Sequence, residues 1–157
     1  MQQSLGKKFE NKVKEDFLKM PESDIERLYD PMSGNKGVRN ISDFIGYKFP
    51  FHFYLETKSH KGKSFPLKNI TQLEKLERKV GIHGVRSGVI LWLIDCDKVV
   101  YIPIKTVRQL INEGKKSFSV KMIDDPQYRV FDIPSTKRRI FMDSDYSVLM
   151  NWTEDGD

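Results

Sequence analysis

The sequence predicts an α/β fold, a mixed β-sheet flanked by helices, and three features carry that prediction. The segment "FHFYLETK" at 51–58 alternates apolar and polar residues with the period of a half-buried strand. The run "GVILWLID" at 88–95 is nearly all apolar, as in a central strand covered on both faces. Helical stripes precede and separate these strands, so the element order reads α-β-β-β-α-β-β-α.

The first helix spans about 5–20. Leu5, Phe9, Val13 and Phe17 recur every four residues along one stripe, and Pro21 ends it. A short strand, "IERLYD", follows at 25–30, then the turn-rich basic loop "PMSGNKG" at 31–37. "ISDFIGY" at 41–47 reads as the second strand, with "KFP" as its turn into the third. On the third strand Phe51, Phe53 and Leu55 point one way, and His52, Tyr54, Glu56 and Lys58 the other. The basic loop "SHKGKS" at 59–64 leads to a helix that starts at Asn69, a good N-cap. That helix places Ile70, Leu73, Leu76 and Val80 on its buried side. "KVVYIPI" at 98–104 pairs with the apolar strand across a "CD" turn, and "TVRQLINEG" is a short helix closed by Gly114. "SFSVKMI", "YRVFDI" and "RRIFM" read as peripheral strands or arms. No linker divides the chain, so 1–157 reads as one domain with a core at about 5–113 and a peripheral C-terminal part at about 115–157.

Composition narrows the function. With 157 residues, 38% of them hydrophobic and 31% charged, the chain is a polar protein long enough for one stable core. The apolar run at 88–94 is too short for a bilayer, and the first seventeen residues lack the apolar segment of a secretory signal, so neither membrane nor export is expected. One cysteine, Cys96, excludes an internal disulfide and a cysteine-based zinc site and fits a cytoplasmic protein. Lys and Arg total 27 against 22 acids, a net charge of +5, which favours a polyanionic partner such as DNA.

The chemistry centres on three residues. Glu56 and Lys58 share one strand face, about 7 Å apart. Asp43 lies on the preceding strand, and an antiparallel turn near 47–50 brings it to the end of the Glu56 strand. Two carboxylates that close repel unless a cation lies between them. Hard oxygen donors with open positions suit Mg²⁺ or Mn²⁺, and the Thr57 carbonyl is an additional donor. Such an ion activates water and neutralises charge at a phosphoryl group, with Lys58 orienting or deprotonating the water or stabilising the pentacovalent phosphorane. An Asp-Glu-Lys set also occurs as an ordinary surface ion pair. The one-faced strand and the basic loop with Lys61 and Lys63 that leaves its end favour the nuclease reading. Glu10 either faces the site as a further ligand or pairs with Lys14 one turn on. Gln72 either bonds the scissile phosphate or water, or forms a capping box with Asn69, and the two roles can coexist. Lys36, Arg39, Lys68 and Arg78 are further candidate phosphate contacts.

"ISDF", then "YLETKS", then "KSFPLKNITQLEKL" resemble the RecU-type Holliday junction resolvases and related phage endonucleases of the PD-(D/E)XK nuclease superfamily. The resemblance is best over about 5–95 and echoes weakly in "GKKSFSV" at 114–120. It implies a PD-(D/E)XK (restriction-endonuclease-like) core in a homodimer that cuts branched DNA at two Mg²⁺-dependent sites, in a bacterium or a phage-infected host. It further implies Asp43 and Glu56 as metal ligands, Thr57 as the carbonyl between them, Lys58 as the catalytic lysine, Gln72 as the helix glutamine and Glu10 as the acid at the site's edge. Two departures stand out. Ser42 occupies the place of the motif's proline, and only residues 29–42 are available where RecU proteins carry a long projecting stalk. The rival functions are a repair- or restriction-type nuclease acting on duplex or flapped DNA, and a catalytically silent DNA-binding recombination accessory protein.

Overall fold

The computed structural model describes residues 4–29 and 40–151. The loop bearing Lys36 and Arg39 lies outside the described residues. A six-stranded sheet runs in the order β1 (Ser23–Arg27), β2 (Phe44–Lys48), β3 (Phe51–His60), β5 (Val85–Leu93), β6 (Lys98–Pro103), β8 (Phe131–Ile133). Only β3 and β5 pair in parallel; the other neighbours are antiparallel, so the sheet is mixed as expected.

Period two divides the core into two layers. Phe51, Phe53, Leu55, Ile90, Trp92, Val99 and Tyr101 face one side, under α1 (Leu5–Phe17). Val89, Leu91, Leu93, Val100 and Ile102 face the other, under α3 (Ile104–Asn112) and the β3–β5 crossover. Residues 87–93 of β5 are buried throughout, so the central strand is covered on both faces. None of the described helices is long and apolar enough to cross a membrane.

Several boundaries differ from the sequence reading, each for a local reason. Helix α1 ends at Phe17, because the Ser23 hydroxyl donates to the carbonyls of Phe17 and Met20 and folds the chain back ahead of Pro21. Phe9, Val13 and Phe17 are buried, but Leu5 in the first turn is exposed. The helix placed at Asn69 is instead a single 3₁₀ turn, Leu67–Asn69, followed by the five-residue α2, Leu73–Glu77. Ile70 breaks the path with non-helical angles (φ −84°, ψ 86°) while burying its side chain. An unforeseen strand, β4 (Ser64–Pro66), begins at the last residue of the basic loop, pairs with β7 (Ser117–Ser119) and sets Phe65 opposite Phe118, both buried.

The C-terminal part is more central than an arm. β8 forms the edge of the main sheet, and β9 (Ser135–Lys137) pairs with β10 (Met142–Ser144). Tyr146 and Leu149 then close over the α1 layer. Asp16 fixes this closure: it is buried, its Oδ2 accepts the Ser144 N–H at 2.9 Å, and its Oδ1 meets Lys12 and Lys19.

Gly88 on β5 lies diagonally across the β5–β6 ladder from Tyr101, whose ring occupies the space of the missing side chain. A Cβ at residue 88 would stand 2.4 Å from the buried ring. Gly88→Ala therefore lowers unfolding stability by roughly 1–3 kcal/mol, the usual cost of overpacking, measurable as a shift of the urea midpoint.

Candidate active site

The site forms where β2 stops and β3 continues. β2 pairs with β3 from Lys48↔Phe51 to Phe44↔Leu55, while β3 runs on to His60 beside β5. Asp43, the next residue, has left the strand. Its Oδ2 accepts the Thr57 N–H at 2.8 Å and the Thr57 hydroxyl at 2.9 Å. The carboxylate thus takes the place of a strand carbonyl and satisfies a donor that β2 would otherwise leave bare. Ser42 supports this turn: it is buried and donates its hydroxyl to the Phe44 carbonyl at 2.8 Å. From the β1 side, the Leu28 N–H donates to the Asp43 carbonyl at 2.8 Å.

Glu56 is only 4% exposed. Its Oε1 lies 3.3 Å from Lys58 Nζ, whereas Oε2 is buried and has no hydrogen-bond partner among the described residues. Burial pushes the Glu56 carboxyl up to about 7; the Asp43 charge adds to this, and Lys58 only partly opposes it. An ionised carboxylate with one bare, buried oxygen is costly, and either a proton or a bound cation relieves it. The available donors are all oxygens, which suits a hard divalent ion. Among the described residues no group of three or more His, Cys, Asp or Glu is arranged to hold a metal, so solvent or substrate oxygens would complete the shell.

Asp43, Glu56, Lys58 and Gln72 line one polar cleft of about 290 Å³, together with Leu28, Asn40, Ser42 and Thr71. Four separate segments of chain therefore converge there. Gln72 occupies the N-cap of α2, yet its side chain makes no capping bond, and Asn69 belongs to the preceding 3₁₀ turn. The capping box does not form, because Ile70 interrupts the helix it needs. Glu10 is half-buried and lies outside the cleft lining. Its carboxylate pairs with Arg27 Nη2 at 2.5 Å, and Lys14 is not its partner. Burial raises its pKa, Arg27 opposes this, and Asp43 is near enough to raise it further. Lys61, Lys63, Lys68 and Arg78 are exposed and none of them lines the cleft. The turn carrying Lys61 and Lys63 is held by Asp95, which accepts the Gly62 N–H at 2.7 Å, and Gly62 adopts a positive φ of 94°.

Sequence reasoning had no place for Arg27, Asn40, Thr71 or the side chain of Thr57. Thr71 had a usable signal, its position beside Gln72. The Asp43–Thr57 bond had none, since it depends on the residue at which β2 stops.

No family model matches the sequence, and no curated protein matches it in sequence. The fold has a counterpart. It is similar to that of Hjc, a Holliday junction resolvase from the archaeal hyperthermophile Archaeoglobus fulgidus, with a TM-score of 0.51 and 18% sequence identity over 64% of this chain and 78% of that one. At that identity the likeness is one of fold. The chain shares with that structure a mixed α/β architecture, a central mixed sheet flanked by helices.

The Glu56 environment sets the sign of a pH effect. Its folded value of about 7 lies above the ordinary carboxyl value of 4.5, so the folded state binds the extra proton between them. Stability contributed by this group is therefore complete below about pH 4.5 and is lost as pH rises through 7, by roughly 3 kcal/mol. In EDTA-treated protein, Glu56→Gln should raise the melting temperature near pH 7.5 relative to wild type and leave the two proteins close at pH 4.5. Thermal unfolding across that range measures it.

Proposed function

We propose that the chain is a divalent-metal-dependent DNA endonuclease, in its finer assignment a RecU-like junction resolvase acting on branched DNA as a homodimer. One observation carries this reading: Asp43, Glu56, Lys58 and Gln72 meet in a single cleft, and the buried Oε2 of Glu56 has no hydrogen-bond partner among the described residues. The fold shared with a Holliday junction resolvase supports it.

In this reading Asp43 and Glu56 hold Mg²⁺, or Mn²⁺ in its place, with the Thr57 carbonyl as a neutral donor. When bound, the ion supplies Lewis-acid assistance and positive charge at the phosphoryl group. The chain's own groups do the rest. Thr57 keeps Asp43 aimed at the cleft through two hydrogen bonds. Lys58, fixed beside Glu56, orients the attacking water and faces the charge that grows on the phosphate. Gln72 offers its amide to the scissile phosphate, and Glu10 stands at the site's edge. Lys36, Arg39, Lys61, Lys63, Lys68 and Arg78 supply phosphate contacts along the DNA backbone.

A second reading, a repair- or restriction-type nuclease on duplex or flapped DNA, has its own support. Residues 29–42 are too few for the stalk that RecU proteins insert into a junction.

Glu56→Gln and Asp43→Asn should each lower cleavage of a synthetic four-way junction in Mg²⁺ by more than about 100-fold, beyond what loss of an outer-shell partner costs. DNA binding, followed by mobility shift in Ca²⁺, should persist. Cleavage by both variants at the wild-type rate would sink the assignment. A wild type that shifts DNA but never cuts it would establish the accessory-protein reading instead. Competition at fixed salt between the junction and a linear duplex separates resolvase from general nuclease, and equal cleavage of both excludes the resolvase.

A further inference from the structure

Beside the cleft lies a second groove of about 590 Å³ that the catalytic reading does not use. Its floor includes Ile70, Leu73 and Ile111, and its rim carries Lys68, Lys115 and Lys116. Among the described residues no acidic one lines it. The rim lysines are distant in sequence, and the fold gathers them: β4 pairs with β7, and the Leu67 N–H donates to the Lys116 carbonyl at 3.0 Å. Lys115 and Lys116 are exposed.

The groove and the cleft share one turn. Ile70 and Leu73 line the groove, while Thr71 and Gln72, between them, line the cleft. A polymer crossing that turn meets both in succession. An apolar floor under a positive rim is complementary to a strand that has a charged backbone and bare base faces. A paired duplex keeps its bases stacked inside and cannot offer those faces to the floor.

We propose that this groove binds unpaired nucleotides of the DNA strand next to the cleavage position, and so gives the site a preference for DNA with a single-stranded segment beside the cut. This rests on the endonuclease reading. An acidic, apolar peptide is the other polyanion of matching chemistry, but nothing about a peptide explains why one turn lines both the groove and the cleft.

The test uses the full chain in Ca²⁺ and fluorescence anisotropy, with a blunt duplex and the same duplex bearing an oligo-dT tail. Lys115→Gln/Lys116→Gln should lower the preference for tailed over blunt DNA about tenfold. It should also reduce the slope of log affinity against log salt on the tailed DNA by about 1.4, from two lost phosphate contacts at about 0.7 each. Ile111→Ser should reduce the preference with the salt slope intact, which separates floor from rim. The proposal is overturned if wild type shows no preference for the tail. It is equally overturned if both variants keep the preference, or if an acidic leucine-containing peptide binds the groove while tail binding is unaffected by the substitutions. Cleavage in Mg²⁺ is scored on the same samples. Failure of all cleavage rejects the endonuclease reading, whereas cleavage with an unchanged tail preference rejects the groove alone.

Discussion

The parallel pairing of β3 with β5 is the constraint on which the rest depends. Nine consecutive residues of β3, His52 to His60, are in register with Val85 to Leu93. Parallel neighbours cannot be joined by a tight turn, so the chain from 61 to 84 must travel back along a face of the sheet before β5 begins. That return lays β4, the 3₁₀ turn and α2 over the face from which Glu56 and Lys58 project. Gln72 reaches the cleft for this reason, and Glu56 is buried for the same reason.

Burial gives the cleft its electrical character. A carboxylate at the surface would be screened and ordinary; Glu56 is enclosed, with Asp43 as a like-charged neighbour and one lysine in partial compensation. Asp43 cannot swing away, because Thr57 holds it by both backbone and side chain. The protein accordingly holds two carboxyl groups in a fixed arrangement in which charge on Asp43 disfavours charge on Glu56. Sites that bind and polarise substrates are typically built with such perturbed groups.

Much of this was legible in the sequence wherever a period ran long enough. The faces of β3, the fully buried β5 and the stripe of Phe9, Val13 and Phe17 each rest on several residues in phase, and all three hold. Asp43 could be placed near Glu56 because an antiparallel turn of fixed length separates them. What escaped was short or non-local. β4 has three residues, and its signal is one buried phenylalanine, meaningful only once Phe65 is paired with Phe118 of β7; "SFSVKMI" marks β7 as a strand but does not name its partner. The α2 boundary was misplaced because Asn69 resembles an N-cap, whereas Ile70 is pulled out of helical geometry by its own burial. For Glu10 the sequence offers a place at the site or a pair with Lys14, and the ion pair it makes, with Arg27, comes from a neighbouring strand that helix periodicity does not reveal.

The bond between Asp16 and Ser144 has a kinetic implication. It joins residues 128 positions apart, and Tyr146 and Leu149 close the same layer. Helix α1 leaves the ribosome early, yet its buried carboxylate and the rings of Phe9 and Phe17 have no complete surroundings until the chain beyond residue 142 has been made. Contacts of such long sequence separation are slow to close. Helix α1, made before the segment that completes its surroundings, is thus among the last elements to reach its final packing, and during synthesis the α1 face of the sheet stays open to chaperones and to misassociation.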